Sequence, residues 1–337
     1  VTLLGRETPL PPPLPQVEHW SENFCLASFD PRLGIGLWLH IGRWRKDLEL
    51  WRETVVVTWP DGSVTGYRAF GNARSSDQGP GGANFAIRLL ETGGVEDPRR
   101  SFSYSFLGGV QRTVSAAMRA GLLLDGPRHR LSLELSFLSR SDIWDLHRIG
   151  GSQEFVGTGH IEQIGRVRGT IGFGDARYDF DSLGNRDHSM GRRDTSSLGA
   201  HHWMQAYFDN GLSVLVYDAV LRGAAQPVVS EAVVYEGDRL FAATLRLTER
   251  ISAVADGCEE YGFSVDYEHG RLEIRTAGIH NTAYLSFTVP NDHYIGVYPG
   301  GEPPLTLMEQ PSRFILNGAI GGYGWMERTV PGVIGVD

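Results

Sequence analysis

The stretch "RHRLSLELSFLS", Arg128 to Ser139, sets Leu131, Leu133, Leu135 and Phe137 against Ser132, Glu134 and Ser136 in strict alternation. A period of two buries one face of a strand and wets the other, and a helix, which repeats every 3.6 residues, cannot use it. The pattern recurs in pairs: "TVVVTWPDGSVTGYRAF", "GTIGFGDARYDF", "AVVYEGDRLFAATLRL" and "YGFSVDYEHGRLEIR" each place two such runs around a Gly-containing turn, the mark of a β-hairpin. Gly supplies 43 of 337 residues, roughly double the usual share, which suits tight turns and bulges in strongly curved sheets. Helical spacing is confined to Arg112–Leu124, "RTVSAAMRAGLLL", with a weaker trace over Lys46–Glu53. The chain therefore reads as all-β with few helices. No fixed-period repeat of a propeller or solenoid is present. The hairpins fall into two groups on either side of a charged segment, which predicts two β-barrel or sandwich domains, residues 1–194 and 195–337.

Composition narrows the partners. A formal net charge of -9 leaves no basic field for phosphates, so nucleic acid is not expected. Cys25 and Cys258 supply neither a disulfide framework nor a thiolate metal site. No stretch keeps charges out for a membrane-spanning length, and the run "PLPPPLP" reads as an extended surface strap. The expectation is a soluble cytoplasmic protein whose partner is an apolar small molecule, with no stable membrane insertion and a homodimer left open.

The charged segment is "GNRDHSMGRRD", Gly184 to Asp194. It reads as a loop at the junction of the two domains, where small-molecule clefts commonly form. A buried Arg or Asp is tolerated only when paired. Arg186, Asp187, Arg193 and Asp194 can therefore form a structural latch of bidentate forks, a reading that for the arginines stands level with a part in a site. Asp187 beside His188 suits acid–base work near neutral pH. Ser189 lacks a G-x-S-x-G setting and reads as a turn residue.

In "AHHWMQAYFDNGLSVLVYDAV", Asp209-Asn210-Gly211 joins two strands. His201, Trp203, Gln205 and Tyr207 share one face; His202, Met204, Ala206 and Phe208 share the other, which reads as packing. Counting from the turn sets Trp203 opposite Tyr217 and His202 opposite Asp218. The first face reads as the wall of a cavity in preference to a solvent-facing exterior, because exteriors rarely expose a Trp and a Tyr together. Upstream, His160 and Glu162 share a face while Gln163 turns away. A buried Glu162 without a counter-ion becomes a general acid; paired with Arg166, Arg168 or the charged segment it is merely structural. His188, His201, His202 and Asp187 lack the spacing of a metal site, so no metal is expected.

Taken in order, "H-x-E-Q" at His160–Gln163, "V-x-G-x-I" from Val167, "G-x-R-D-H-S-x-G-x-R-D" at Gly184–Asp194, and "H-x-W" at His201–Trp203 with "D-x-G" at Asp209–Gly211 resemble the hydroxyneurosporene synthase (carotenoid hydratase) superfamily. That group includes AttH-like proteins and, more remotely, tocopherol cyclase and the fungal lipocalin-type Diels–Alderases. The matched block spans about a fifth of the chain, and "G-x-G-x-x-E" at Gly322–Glu327 is also similar. The resemblance implies two lipocalin-like β-barrels packed side by side, an apolar pocket in or between them, no organic cofactor, and hydration, cyclisation or pericyclic assembly of hydrophobic, often isoprenoid molecules. The H-x-W pair of carotenoid hydratases falls on His201 and Trp203. Met190 stands where relatives commonly carry Trp, which removes one aromatic wall.

Protonating an alkene requires an acid, a pocket that steadies the resulting cation, and a placed water or internal nucleophile. Asp187 is the candidate acid and Glu162 its competitor. Trp203, Tyr207 and Tyr217 offer cation–π stabilisation of about 2 kcal/mol each when desolvated. His201 or His188 positions water or takes the returning proton; Gln205, Met190 and His160 line the substrate; Arg186, Arg193 and Asp194 hold the acid. The expected activity is a cofactor-independent lyase or isomerase acting on a terpenoid, steroid or aromatic compound. The alternative is a carrier of a lipid-like ligand in which the charged segment is an interdomain brace.

Overall fold

The structure is a computed structural model and describes residues 15–44, 46–72, 80–92, 100–115, 118, 127–146, 159–192, 195–247, 261–288, 292–295 and 305–331. The first sheet contains β1 (Trp20–Asp30), β2 (Ile35–Trp44), β3 (Asp47–Thr58), β4 (Ser63–Asn72), β5 (Phe85–Thr92), β6 (Arg100–Val114), β7 (His129–Ser139), β8 (Trp144–Asp145), β9 (Gly159–Phe173) and β10 (Ala176–Arg192). The second contains β11 (Leu198–Phe208), β12 (Leu212–Leu221), β13 (Val229–Glu236), β14 (Arg239–Leu247), β15 (Gly262–Tyr267), β16 (Gly270–Ile279), β17 (Ala283–Thr288), β18 (Asp292–Ile295), β19 (Leu305–Leu316) and β20 (Ile320–Pro331).

Both sheets close. In the first, the antiparallel order β10-β1-β2-β3-β4-β6-β7-β9 returns to β10, an eight-stranded barrel with β5 and β8 attached to β6 and β9. In the second, β16-β15-β14-β13-β12-β11-β20-β19 returns to β16, with β17 and β18 continuing from β19. Closure leaves no sheet edge unpaired along these paths. The fold is two lipocalin-like antiparallel barrels packed side by side, with almost no helix among the described residues.

Alternation divides most of the buried apolar side chains among three large cores. Leu131, Leu133, Leu135 and Phe137 of β7 point into the first barrel with Leu37, Leu39, Val55 and Val57. Met204, Phe208, Val214, Val216 and Phe314 fill the second. The third core lies between the barrels, where Trp38, Trp144, Trp203, Tyr207, Tyr217 and Trp325 meet. There β1 packs across β19 and β20.

Three expectations are corrected. Gly184–Arg192 is the second half of strand β10 and not a loop, laddered to β1 and β9. Its charges survive in a strand because alternate residues leave on opposite faces, Arg186 and His188 inward, Asn185 and Asp187 toward the second barrel. Lys46–Glu53 carries no helix, since Asp47–Glu53 begins β3 and buries Trp51 in the first barrel. Arg112–Val114 ends β6; Ser115 and Met118 are helical, and the rest of that expected helix lies outside the described residues. The proline strap before Pro15, together with Arg193 and Asp194, also lies outside them. No helix among the described residues is long and apolar enough to cross a membrane.

Candidate functional site

Cross-strand partners in an antiparallel ladder share a face, so each sheet aligns one side chain per strand in a lateral row. In the first barrel the row reads Trp144, Glu162, Asp187, Cys25, His40. In the second it reads Glu309, Glu327, Trp203, Tyr217, Glu231. The rows meet between the barrels: Trp203 Nε1 donates to Glu162 Oε1 at 2.9 Å, and Trp38 Nε1 donates to Glu327 Oε2 at 3.3 Å.

The first cluster is His160, Glu162 and Asp187. His160 Nε2 lies 3.0 Å from Glu162 Oε1 and 3.0 Å from Asp187 Oδ2. Asn185 Nδ2 donates to Glu162 Oε2. Burial opposes charge on His160, but the charge of Asp187 and the hydrogen bonds to both carboxylates outweigh it and raise the ring to about 9. Glu162 is pushed up to about 7, by burial first and by the charge of Asp187 after it, against the pull of His160. The cluster thus holds an imidazolium between two carboxyl groups, one of them poised near neutral pH.

One donor atom from each of these residues lies within 4.8 Å of the others, the reach of a three-ligand cation site. The hydrogen-bond pattern suits a proton better. His160 Nε2 addresses both carboxyl groups at hydrogen-bonding distance, and Glu162 Oε1 already accepts from an indole. A metal-bound imidazole nitrogen would have no hydrogen to give.

The second cluster is Glu309, Glu327 and His201. Trp325 Nε1 donates to Glu309 Oε2 at 2.7 Å, and His201 Nδ1 lies 3.3 Å from Glu327 Oε1. Burial, then the charge of Glu327, holds the Glu309 carboxyl well above its usual range. Tyr217 stands between the clusters, its ring 5.1 Å from that of His160 and 4.8 Å from that of His201. Burial, then the charges of Asp187, Glu327, Glu309 and Glu162, drives the Cys25 thiol up, so one buried sulfur senses all four acids.

The neighbouring arginines face away. Arg186 enters the first barrel, where Nε and Nη2 donate to Gln163 Oε1 at 3.1 and 2.9 Å with its guanidinium over Phe102. Arg328 does the same in the second barrel toward Gln310 Oε1, at 2.9 and 2.6 Å. Arg166 and Arg168 bind Asp181 and not Glu162, which removes these two as ion-pair partners for that acid.

The expected face of β11 reaches the junction: His201, Trp203, Gln205 and Tyr207 are buried there, with Tyr207 OH donating to Gln205 Oε1 at 2.9 Å. Trp203 opposes Tyr217 and His202 opposes Asp218, the register counted from the turn, where Gly211 has φ +86°. His188 does not join the site. It points into the first barrel, stacked on Phe24 at 3.9 Å with Nε2 3.2 Å from Glu22 Oε1. Met190 likewise packs with Ile161, away from the junction. Glu309, Glu327, Cys25, Trp38 and Trp325 were not read as site residues. One signal was available, because Glu162-Gln163-x-x-Arg166 returns as Glu309-Gln310-x-x-Arg313, and each barrel uses its copy on its penultimate closing strand.

Fold and site together define a double-barrel lipocalin-like protein with buried acid–base groups between its barrels. Solved structures of similar fold include an AttH protein from Nitrosomonas europaea, 11% identical over 93% of each chain with a TM-score of 0.59. They also include CghA, 9% identical over 95% of this chain and 90% of that one at 0.53. Kievitone hydratase from Nectria haematococca is 9% identical over 96% and 94% at 0.50. At these identities the kinship is distant and concerns the fold alone. A search of curated proteins finds no match. The family model described as Domain of unknown function (DUF7064) matches residues 9–302, and the chain belongs to that family.

Proposed function

We propose that the junction is the active site of a cofactor-independent lyase or isomerase, of the hydratase or cyclase type, acting by acid–base chemistry on a hydrophobic small molecule. The observation that carries this reading is the set of unpartnered buried atoms there. Asp187 Oδ1, His201 Nε2, Gln205 Nε2, Asn185 Oδ1 and Glu309 Oε1 have no hydrogen-bond partner. Buried polar atoms are normally paired, and each exception costs about 1–3 kcal/mol. Several in one aromatic-walled junction, beside an acid near pH 7, describe a surface made to receive a ligand.

Geometry supports the following roles. Asp187, whose side chain keeps 13% of its surface exposed, leads the first cluster toward solvent, while His160 and Glu162 sit behind it at 0%. Asp187 exchanges the proton with substrate; His160 and Glu162 supply and absorb it. Trp203, Tyr207 and Tyr217 steady positive charge that develops on carbon, and His201 Nε2 positions water or an attacking hydroxyl. The name of kievitone hydratase lends fold-level support to hydration. Terpenoids, steroids and aromatic compounds are the substrate classes we put forward.

The test begins with solvent extraction of the purified protein and mass spectrometry of any apolar compound recovered. The wild type is then incubated with that compound. Conversion without added cofactor, abolished in Asp187→Asn with binding and melting temperature nearly unchanged, supports the reading. Recovery of the compound unaltered makes the protein a carrier.

A further inference from the structure

We propose that Glu309 and Glu327 share one proton and form a second acid of the junction, delivering it to a carbon–carbon double bond of an apolar substrate from the side opposite the His160–Glu162–Asp187 cluster. The assignment rests on the functional reading above and adds to it the second arm of the acid–base pair.

Geometry carries the argument. Glu309 and Glu327 are direct cross-strand partners on β19 and β20, so their carboxyl groups leave the sheet side by side on one face, the first fully buried and the second nearly so. A carboxylate only accepts, so two acids placed this way fit together when one of them carries a proton. Every other contact shown for the pair fits a single negative charge. Trp325 Nε1 serves Glu309 Oε2, Trp38 Nε1 serves Glu327 Oε2, and His201 Nδ1 faces Glu327 Oε1. Glu309 Oε1, which accepts from no donor, is the atom left to carry the hydrogen. Arg328, next in sequence to Glu327, is turned into the barrel toward Gln310. The remaining charged or titratable groups facing the pair are Cys25 from β1, Asp187 and Glu162 from the other cluster, and His160 and Tyr217 beside them. Like charges this close do not both ionise in a buried setting.

Placement gives the direction of transfer. Glu309 is fully buried, whereas the Glu327 and His201 side chains keep 12% and 9% of their surface exposed, the counterpart of Asp187 in the first cluster. Asp187 and Glu327 therefore front the two clusters. In the forward step Glu327 gives the shared proton to one alkene carbon, the π pair becomes the new C–H bond, and the second negative charge left on the glutamate pair is matched by the positive charge forming on the adjacent carbon. The adjacent carbon, left electron-poor, accepts a lone pair from water or a substrate hydroxyl, and the proton released passes to Asp187. The sum is addition of O–H across the double bond with no change of oxidation level. The site resets when the proton returns to the glutamate pair, and Tyr217, in contact with both His160 and His201, lies between the two stores.

The experiment uses the full chain and infrared spectroscopy at pH 8, above the value of about 7 for Glu162. Wild type and Glu162→Gln are expected to retain a protonated-carboxyl C=O stretch. Glu309→Gln and Glu327→Gln are each expected to lose it, since an amide can bond to a lone carboxylate without a shared proton. Absence of the band in wild type, or its persistence in both variants, overturns the proposal. Turnover of the extracted compound forms the second arm, with Glu327→Gln expected to lose at least ~100-fold in kcat while the ligand stays bound. Wild-type turnover undiminished in Glu327→Gln sinks the second acid but leaves the first cluster standing. No wild-type turnover sinks both.

Discussion

Glu162 offers the sharpest test of how the junction is held together. Its carboxyl accepts from Trp203 Nε1 on one oxygen and Asn185 Nδ2 on the other, with His160 Nε2 3.0 Å from the first. Glu162→Ala strands the indole and amide donors and leaves His160 with Asp187 alone. At about 1–3 kcal/mol for each stranded donor, plus the cavity left by the side chain, the expected loss is about 3–5 kcal/mol. Glu162→Gln should behave quite differently. Its carbonyl oxygen still serves Trp203, and half a turn of the Asn185 amide brings the unpartnered Oδ1 to the new NH2 group. The variant also no longer buries a charge, so its stability should lie within about 1 kcal/mol of wild type. Equilibrium urea unfolding at neutral pH measures both. Near-equal losses for the two variants, or a loss under about 1 kcal/mol for alanine, would refute this account of the cluster.

Other outcomes follow from the same contacts. His160 is raised from 6.5 to about 9 in the folded state, so its stabilisation is complete below pH 6.5 and disappears as pH climbs to 9. The size is on the order of 3 kcal/mol, and His160→Gln should flatten that limb of the pH–stability curve. Glu162, raised from 4.5 to about 7, loses its contribution in the same direction over that lower window, as denaturation from pH 4 to 8 should show. Trp203→Phe removes one donor to Glu162 and should cost about 2 kcal/mol while lifting the Glu162 carboxyl further, read by infrared titration. Gly36→Ala would set a methyl 2.8 Å from the Trp325 ring across the junction and 2.5 Å from Thr58 Oγ1. It should destabilise by about 1–3 kcal/mol and disturb indole fluorescence; a silent variant would mean that the barrels are not tightly apposed there.

Much of the local structure was legible because strands announce themselves at short range. Leu131 to Phe137 alternate in sequence and in burial. Trp203 meets Tyr217 because only a short turn separates the two strands, so counting is enough. His160 and Glu162 share a face for the same reason, and Gln163 leaves by the other to meet Arg186. The charged segment was harder. Composition suggested a loop, and only the ladders from β1 and β9 show Gly184–Arg192 to be a strand whose neighbours Asp187 and His188 serve different cores.

The sequence by itself determined the β class, the hairpins, and which side chains of each strand travel together, since a period of two is a property of the local backbone. The turns of the β9–β10 and β19–β20 hairpins set Glu162 opposite Asp187 and Glu309 opposite Glu327, but tertiary structure alone decided that the two pairs share one buried junction, because only packing the barrels brings their rows together. No local rule sets that apposition. It is chosen by the summed burial of three cores, and the proton chemistry of the junction is inherited from that choice.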